Sequence, residues 1–205
     1  MNCRICNLKT QKIETFNNVP KHISVLKSTF YTHDGLDLDL YKCNHCNHYQ
    51  IEYINDNNYY DDYSMITPIN NSSPDSNHVN PFMERQIKEL VNISAKTQSF
   101  IEIGCGNGAF LNYAKKYYNF VIGNEPSKAY AEMTRKLGFD CIEDYITPSF
   151  YSDDTYDSFC SKQVFEHLPD PKGTLKKIYQ LLNTDGTGFI EVPNGAKSIY
   201  NNITI

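Results

Sequence analysis

One stretch, SFIEIGCGNGAFLNYAKKYY at 99–118, constrains the fold more than any other part of the chain. Phe100, Ile101 and Ile103 make a short apolar strand, Gly104, Gly106 and Gly108 punctuate a tight turn, and Phe110, Leu111, Ala114 and Tyr118 share one face of the helix that follows. A strand that runs through glycines into a helix brings bare backbone N–H groups to one point, the way α/β sheets grip a nucleotide. The alternation then continues. Asn119 to Gly123 predicts a second strand, Ser127 caps a helix with Tyr130, Met133 and Leu137 inward, and Phe139 to Ile142 follows as a third strand. Tyr156 to Cys160 is the fourth, Asp170-Pro171 opens a helix carrying Leu175, Ile178 and Leu181, and Asp185-Gly186 turns into a fifth strand, Gly188 to Val192. Strand and helix in repeated succession imply a parallel sheet with right-handed crossovers. Cys105, Cys141 and Cys160 lie inside these elements and read as small packing residues.

Glycine spacing does not name the ligand, because with Ala109 in last place the loop also meets the dinucleotide pattern G-x-G-x-x-G/A. Glu102 narrows the choice. A carboxylate two residues before the first glycine would repel a pyrophosphate and attract a cation, which disfavours an NAD-dependent oxidoreductase. S-adenosylmethionine carries an ammonium and a sulfonium and no phosphate, so Glu102 is expected to hold its amino-acid portion. Glu125, 17 residues after Gly108, stands where an acceptor for ribose hydroxyls belongs, and Asp144 follows the third strand where the adenine amino group would lie. The competing reading of each is a surface carboxylate at a strand end.

A second constellation precedes this one. Cys3-x-x-Cys6 and Cys43-x-x-Cys46 are separated by 36 residues, and each two-residue spacer can turn both thiolates toward a single ion. The intervening segment is too short and polar for a core of its own, with only HDGLDLDL at 33–40 hinting at a strand. Four cysteines and no open coordination position predict a structural zinc, whose binding energy is also folding energy for the segment. His45 and His48 lie beside Cys46 but would break the two-plus-two arrangement.

Between the two constellations, 52–80 is rich in Asn, Asp, Ser and Tyr without apolar periodicity, an irregular connector in which Tyr59, Tyr60 and Tyr63 either stay solvated or drape over a ligand. Phe82, Ile87, Leu90 and Val91 then trace a helix ending near Ile93. Three regions result: a zinc-binding domain over 1–55, a connector and helix over 56–97, and an α/β core over 98–205. The net charge of −5, spread without a basic patch, argues against nucleic acid as a partner. No apolar run approaches a membrane span and the first ten residues lack a signal-peptide core, so no membrane partner and a cytoplasmic location are expected.

Taken in order, IEIGCGNG, GNEPS, SKQVFEHLPDP and GFIEVPN resemble the successive motifs of class I S-adenosylmethionine-dependent methyltransferases. The likeness covers about 98–195. With both C-x-x-C pairs in front, the chain resembles more narrowly the sugar C-methyltransferases that carry an N-terminal zinc-binding domain. The resemblance implies a Rossmann-like parallel sheet in strand order 3-2-1-4-5 and a small-molecule acceptor, a sugar or nucleotide-sugar. It also implies a glycine loop (Gly104, Gly106, Asn107, Gly108) wrapping the methionine portion, with Glu125 and the neighbouring Pro126 at the ribose. Asp144 and Tyr145 would lie at the adenine, Gln163 at the fourth strand's end, and Tyr63 over the cofactor. His167 is the candidate general base, with a cap or a bond to Glu166 as its structural alternative.

Two departures from the family's pattern matter. Such domains continue past the fifth strand into two more strands and an acceptor domain, so a truncated or non-catalytic cofactor-binding protein is the rival reading. An O- or N-methyltransferase of another metabolite is a second alternative. Self-association through the fifth strand's open edge is expected in the same way, and Tyr200 is the sole residue near the family's usual base segment. The QVFEHLPDP motif also resembles a metal-holding stretch of quinone-biosynthesis O-methyltransferases, but Gln163 replaces its leading carboxylate.

Overall fold

The computed structural model describes residues 1–19, 36–52 and 80–193, which fall into two units. The first holds β1 (Thr10–Val19), β2 (Leu36–Cys43) and β3 (Tyr49–Gln50), an antiparallel sheet in the order β1-β2-β3. Asp39 knits the ladder from β2, accepting from Thr15 Oγ1 at 2.8 Å and pairing with Lys12 Nζ at 2.7 Å. β1 is invisible to an alternation test because neither of its faces is buried: Ile13 and Phe16 both stay exposed.

The second unit begins with α1 (Pro81–Ile93), capped by Asn80, whose side chain accepts from the Phe82 and Met83 N–H groups. It continues through β4 (Ser99–Ile103), α2 (Leu111–Ala114), β5 (Phe120–Asn124), α3 (Lys128–Lys136) and β6 (Asp140–Ile142). β7 (Tyr156–Lys162), a 3-10 turn over Phe165–His167, α4 (Pro171–Gln180) and β8 (Leu182–Glu191) complete it. Its five strands are parallel and ordered β6-β5-β4-β7-β8, the expected 3-2-1-4-5 arrangement, with β8 on the edge.

Alternation along β4 sends Phe100 to one side and Ile101 and Ile103 to the other. Phe100 meets Phe110, Leu111, Ala114, Tyr118 and the α1 residues Ile87 and Leu90, while Ile101 and Ile103 pack with Ile122, Phe159, Ile178 and Leu181. The predicted glycine-turn helix forms as α2, only four residues long, although its whole apolar stripe is buried.

Several local expectations need correction. On α3 the buried side chains are Ala129, Ala131 and Thr134, while Tyr130, Met133 and Leu137 are half-buried, Leu137 at the helix end packing against the core. Ser127 occupies the N-cap position but its hydroxyl makes no cap bond. Leu175 and Phe82 are exposed. The predicted Asp185-Gly186 turn lies within β8, with Asp185 at φ 65° beside a register shift between Tyr156 and Ser158 of β7.

One buried carboxylate ties the sheet's far end. Asp157 accepts from the Gln98 and Ser99 N–H groups at 2.8 and 3.1 Å and from Asn183 Nδ2 at 2.8 Å. Burial opposes its charge, but these donors outweigh burial and hold the carboxyl below its ordinary range. A depressed carboxylate contributes stability above the unfolded-state value near 4 and loses it as pH falls through the folded value. Asp157→Ala should therefore cost about 2–4 kcal/mol at pH 7, by leaving donors unpaired. The loss should shrink toward pH 3; a penalty independent of pH in denaturant titrations would refute this.

Candidate functional site

The site is built at the carboxyl ends of β4, β5 and β7. Gly104, Gly106 and Gly108 all have positive φ (71°, 54° and 75°), and at Gly104 the requirement is also steric: a Cβ there would lie 2.3 Å from Val164 Cγ2. The turn is fastened from several sides. Gly104 N and Cys105 N both donate to Asn124 O, at 2.8 and 2.9 Å. Glu125 Oε2 accepts from Gly106 N, and Glu125 Oε1 from Ser127 N, both at 2.9 Å. Thr134 Oγ1 donates to Gly106 O at 2.9 Å.

Glu125 thus joins the glycine loop to the start of α3. Burial pushes its pKa up, partly offset by the Ser127 and Gly106 N–H groups. A carboxylate offers about four lone-pair sites, so two remain for a ligand's hydroxyl pair. Pro126 and Asn107 flank this junction; the Asn107 side chain accepts from Ala109 N at 3.2 Å.

Glu102 is the most unusual group. It is buried, its Oε2 has no hydrogen-bond partner, and its pKa is pushed up to about 8, chiefly by desolvation, with Lys162 opposing and Glu125 adding to the shift. An orphaned buried carboxyl oxygen beside a glycine loop fits a cationic group better than any neutral one.

Asp144 and Tyr145 lie at the exposed end past β6, where Asp144 Oδ1 accepts from Tyr145 N at 2.7 Å and the Asp144 carbonyl accepts from Asn124 Nδ2 at 2.7 Å. Gln163 sits at φ 56°, its N–H donating to Glu191 O at 2.8 Å. His167 is about half exposed, with Nε2 at 3.8 Å from Glu166 Oε1. Tyr63 and Tyr200 lie outside the described residues.

Asn124, Thr134 and Val164 fasten or shape the loop and were not singled out by sequence. Val164 could have been found only by knowing which residue follows β7 at Gly104. Thr134 could have been found from its place as a polar residue among the small inward positions of α3.

In the other unit the four sulfurs of Cys3, Cys6, Cys43 and Cys46 lie within 4.8 Å of one another. Cys3 and Cys46 approach to 3.6 Å and Cys6 and Cys43 to 3.5 Å, near the roughly 3.8 Å edge of a tetrahedron with metal–sulfur bonds of about 2.3 Å. Two matching turns achieve this. Asn7 N donates to Cys3 O and Asn47 N to Cys43 O, both at 2.9 Å, and the two asparagines take left-handed φ of 61° and 59°. Cys3 N and Cys43 N likewise donate to Leu8 O and His48 O. The Cys46 and His45 N–H groups pull the Cys43 thiol down, while burial and the neighbouring sulfurs push the Cys6 and Cys46 thiols up.

A five-stranded parallel sheet in this order, with an acidic residue before a glycine turn and another after the second strand, defines a class I methyltransferase fold. Residues 76–201, more than half the chain, match the family described as a methyltransferase domain, and the chain belongs to that family. Among solved structures it resembles CalS10, an amino pentose methyltransferase from Micromonospora echinaspora bound to S-adenosylmethionine, at 16% identity over 55% of this chain and 50% of that one, TM-score 0.51. It is also similar to the sugar N-methyltransferase KedS8 from Streptoalloteichus sp ATCC 53650, at 14% identity over 55% of this chain and 47% of that one, TM-score 0.47. The plantazolicin methyltransferase BpumL, in complex with a substrate analogue and S-adenosylhomocysteine, matches at 20% identity over 60% of this chain and 49% of that one, TM-score 0.49. The likeness to CalS10 is one of fold, and the chain spans about half the length of these structures. No curated protein matches the chain. Among the described residues no helix is long and apolar enough to cross a membrane.

Proposed function

We propose that this protein transfers a methyl group from S-adenosylmethionine to a small acceptor, a sugar or nucleotide-sugar. The observation that carries the reading is Glu102, a buried carboxyl with a free oxygen at the glycine loop, in a chain whose family is the methyltransferase domain. Glu102 receives the cofactor's ammonium, the glycine loop wraps its methionine portion, and the free lone pairs of Glu125 take the ribose hydroxyls. Asp144 and Tyr145 border the adenine, and Gln163 and Tyr63 belong to the cofactor-contacting set. Bound S-adenosylmethionine supplies an electrophilic methyl on a sulfonium, and the protein's part is to hold the acceptor in line and keep water out. His167, exposed beside Glu166, is the proposed base for a hydroxyl or carbon acceptor.

The four cysteines hold one structural zinc, and domain boundaries near 55 and 97 follow from that division of labour. Amino-sugar and sugar N-methyltransferases among the similar folds support a carbohydrate acceptor.

Calorimetry with S-adenosylhomocysteine tests the cofactor assignment. Glu125→Ala should lose about 1–3 kcal/mol of binding, the range for a hydrogen bond to a charged group. Binding of NAD in preference to S-adenosylhomocysteine would overturn the reading.

A further inference from the structure

The carboxyl ends of β7 and β8 carry a charged group that neither the fold nor the glycine loop explains. Cys160 stands opposite Glu102 in the β4–β7 register, and Lys162, two residues on, stands opposite Glu191 in the β7–β8 register. Paired residues and alternate residues share a face, so Glu102, Lys162 and Glu191 all rise from the side of the sheet that bears Phe100 and Phe110. Lys162 is the first charge to act on Glu102, ahead of Glu125, yet no ion pair within 4.0 Å joins Lys162 to a carboxylate among the described residues.

The lysine is held open instead. Its Nζ donates to Gln86 Oε1 of α1 at 2.9 Å and lies 4.5 Å from the centre of the Phe110 ring and 5.9 Å from that of Phe82. The Gln86 amide in turn donates to Glu191 Oε2, and Gln163 Nε2 donates to Glu191 Oε1 at 3.4 Å. Glu191 is therefore engaged by two neutral amides while the nearby cation spends one of its three donors on a neutral carbonyl. Two ring faces steady the ammonium without neutralising it. The result is a cation on β7 in no direct ion pair and, on the same face of the sheet, a buried carboxyl on β4 with one oxygen lacking a partner.

A ligand that completes both must carry a positive and a negative charge a few atoms apart. We propose that Lys162 binds the carboxylate, and Glu102 the ammonium, of the amino-acid end of S-adenosylmethionine, with Gln86 positioning the lysine from α1. This inference rests on the cofactor reading given above. It makes Lys162 a residue that selects for the intact amino acid, since a ligand without the carboxylate leaves the ammonium of Lys162 unsatisfied.

Two probes separate the roles: S-adenosylmethionine and decarboxylated S-adenosylmethionine, which keeps the sulfonium and the amine but lacks the carboxylate. Binding of each to the full chain, to Lys162→Met and to Lys162→Arg is measured by calorimetry. Methionine keeps an apolar stem against Phe110, and circular dichroism confirms that each variant is folded. The wild type should prefer S-adenosylmethionine, and Lys162→Met should weaken it by roughly 10- to 100-fold, the worth of a charge-assisted hydrogen bond. Decarboxylated ligand should bind wild type and Lys162→Met alike, and Lys162→Arg should restore most of the preference. Equal weakening of both ligands, or of neither, would overturn the assignment of Lys162 while leaving the cofactor reading intact. A folded wild type that binds neither ligand would overturn the cofactor reading itself and this inference with it.

Discussion

Gly104→Ala should destabilise the second unit by about 2–4 kcal/mol and abolish measurable binding of S-adenosylhomocysteine. Two costs add at this position. An alanine at φ +71° carries a left-handed penalty of about 1–2 kcal/mol, and its Cβ meets Val164 Cγ2 at 2.3 Å, within the sum of two carbon radii. Val164 Cβ and Cγ1 stand only 3.5 and 3.6 Å from the same point, and the backbone around Val164 is fixed by the Gln163 bond to β8 and the 3-10 turn that follows. The displaced backbone is the turn that Asn124 and Glu125 fasten at the proposed cofactor site. Gly106→Ala supplies the control: its φ is also positive, but nothing lies within 4 Å of the added carbon, so only the backbone cost applies. Thermal melts of both variants, scored against the wild type, test the difference. Similar losses from the two substitutions would show that contact with Val164 is not what excludes a side chain from Gly104.

Removal of the metal should have an equally large but separate effect. With one zinc per chain on Cys3, Cys6, Cys43 and Cys46, Cys43→Ser or a strong chelator should unfold residues 1–52. Structural zinc sites contribute about 10–16 kcal/mol of apparent binding energy near neutral pH, more than a three-stranded sheet with both Ile13 and Phe16 exposed can replace. Metal analysis should fall from one equivalent to none in the mutant. Limited proteolysis should then cut within 1–52, and the melt of the second unit gives an internal reference. Ligation requires thiolates, so acid should release the ion as pH falls below neutrality. Retention of a full equivalent of zinc by Cys43→Ser would refute the ligand set.

The strands and the glycine turn were legible because both are written in local pattern, apolar runs of four or five residues and glycines where φ must be positive, whereas the sheet order came from the resemblance to the methyltransferases. Paired cysteines were legible for the same reason, each C-x-x-C being a complete turn, and the asparagine that follows both pairs takes the left-handed conformation that residue tolerates. What the pattern missed lies in tertiary contact. β1 buries neither face and so leaves no period in TQKIETFNNV. On α3 the pattern found Leu137, which packs against the core, but missed Ala131 and Thr134, because hydrophobicity gives little weight to small residues. Gln86, Lys162 and Glu191 are polar residues spread over 105 positions, and only the meeting of α1 with β7 and β8 makes them neighbours.

The protonated state of Glu102 has a thermodynamic corollary. A carboxyl whose pKa stands near 8 in the folded chain and near 4.3 when unfolded favours folding most below the lower value, and this contribution is lost as pH rises through the upper one. The empty domain is thereby weakened by alkali. A ligand whose ammonium meets Glu102 demands the ionised form, so its arrival expels a proton at neutral pH and its affinity climbs by up to tenfold per unit until pH 8 is passed. Between the two pKa values the ligand-free protein therefore loses stability as pH rises while the loaded protein, already ionised at Glu102, does not, and occupancy of the crevice is linked to the proton activity of its surroundings.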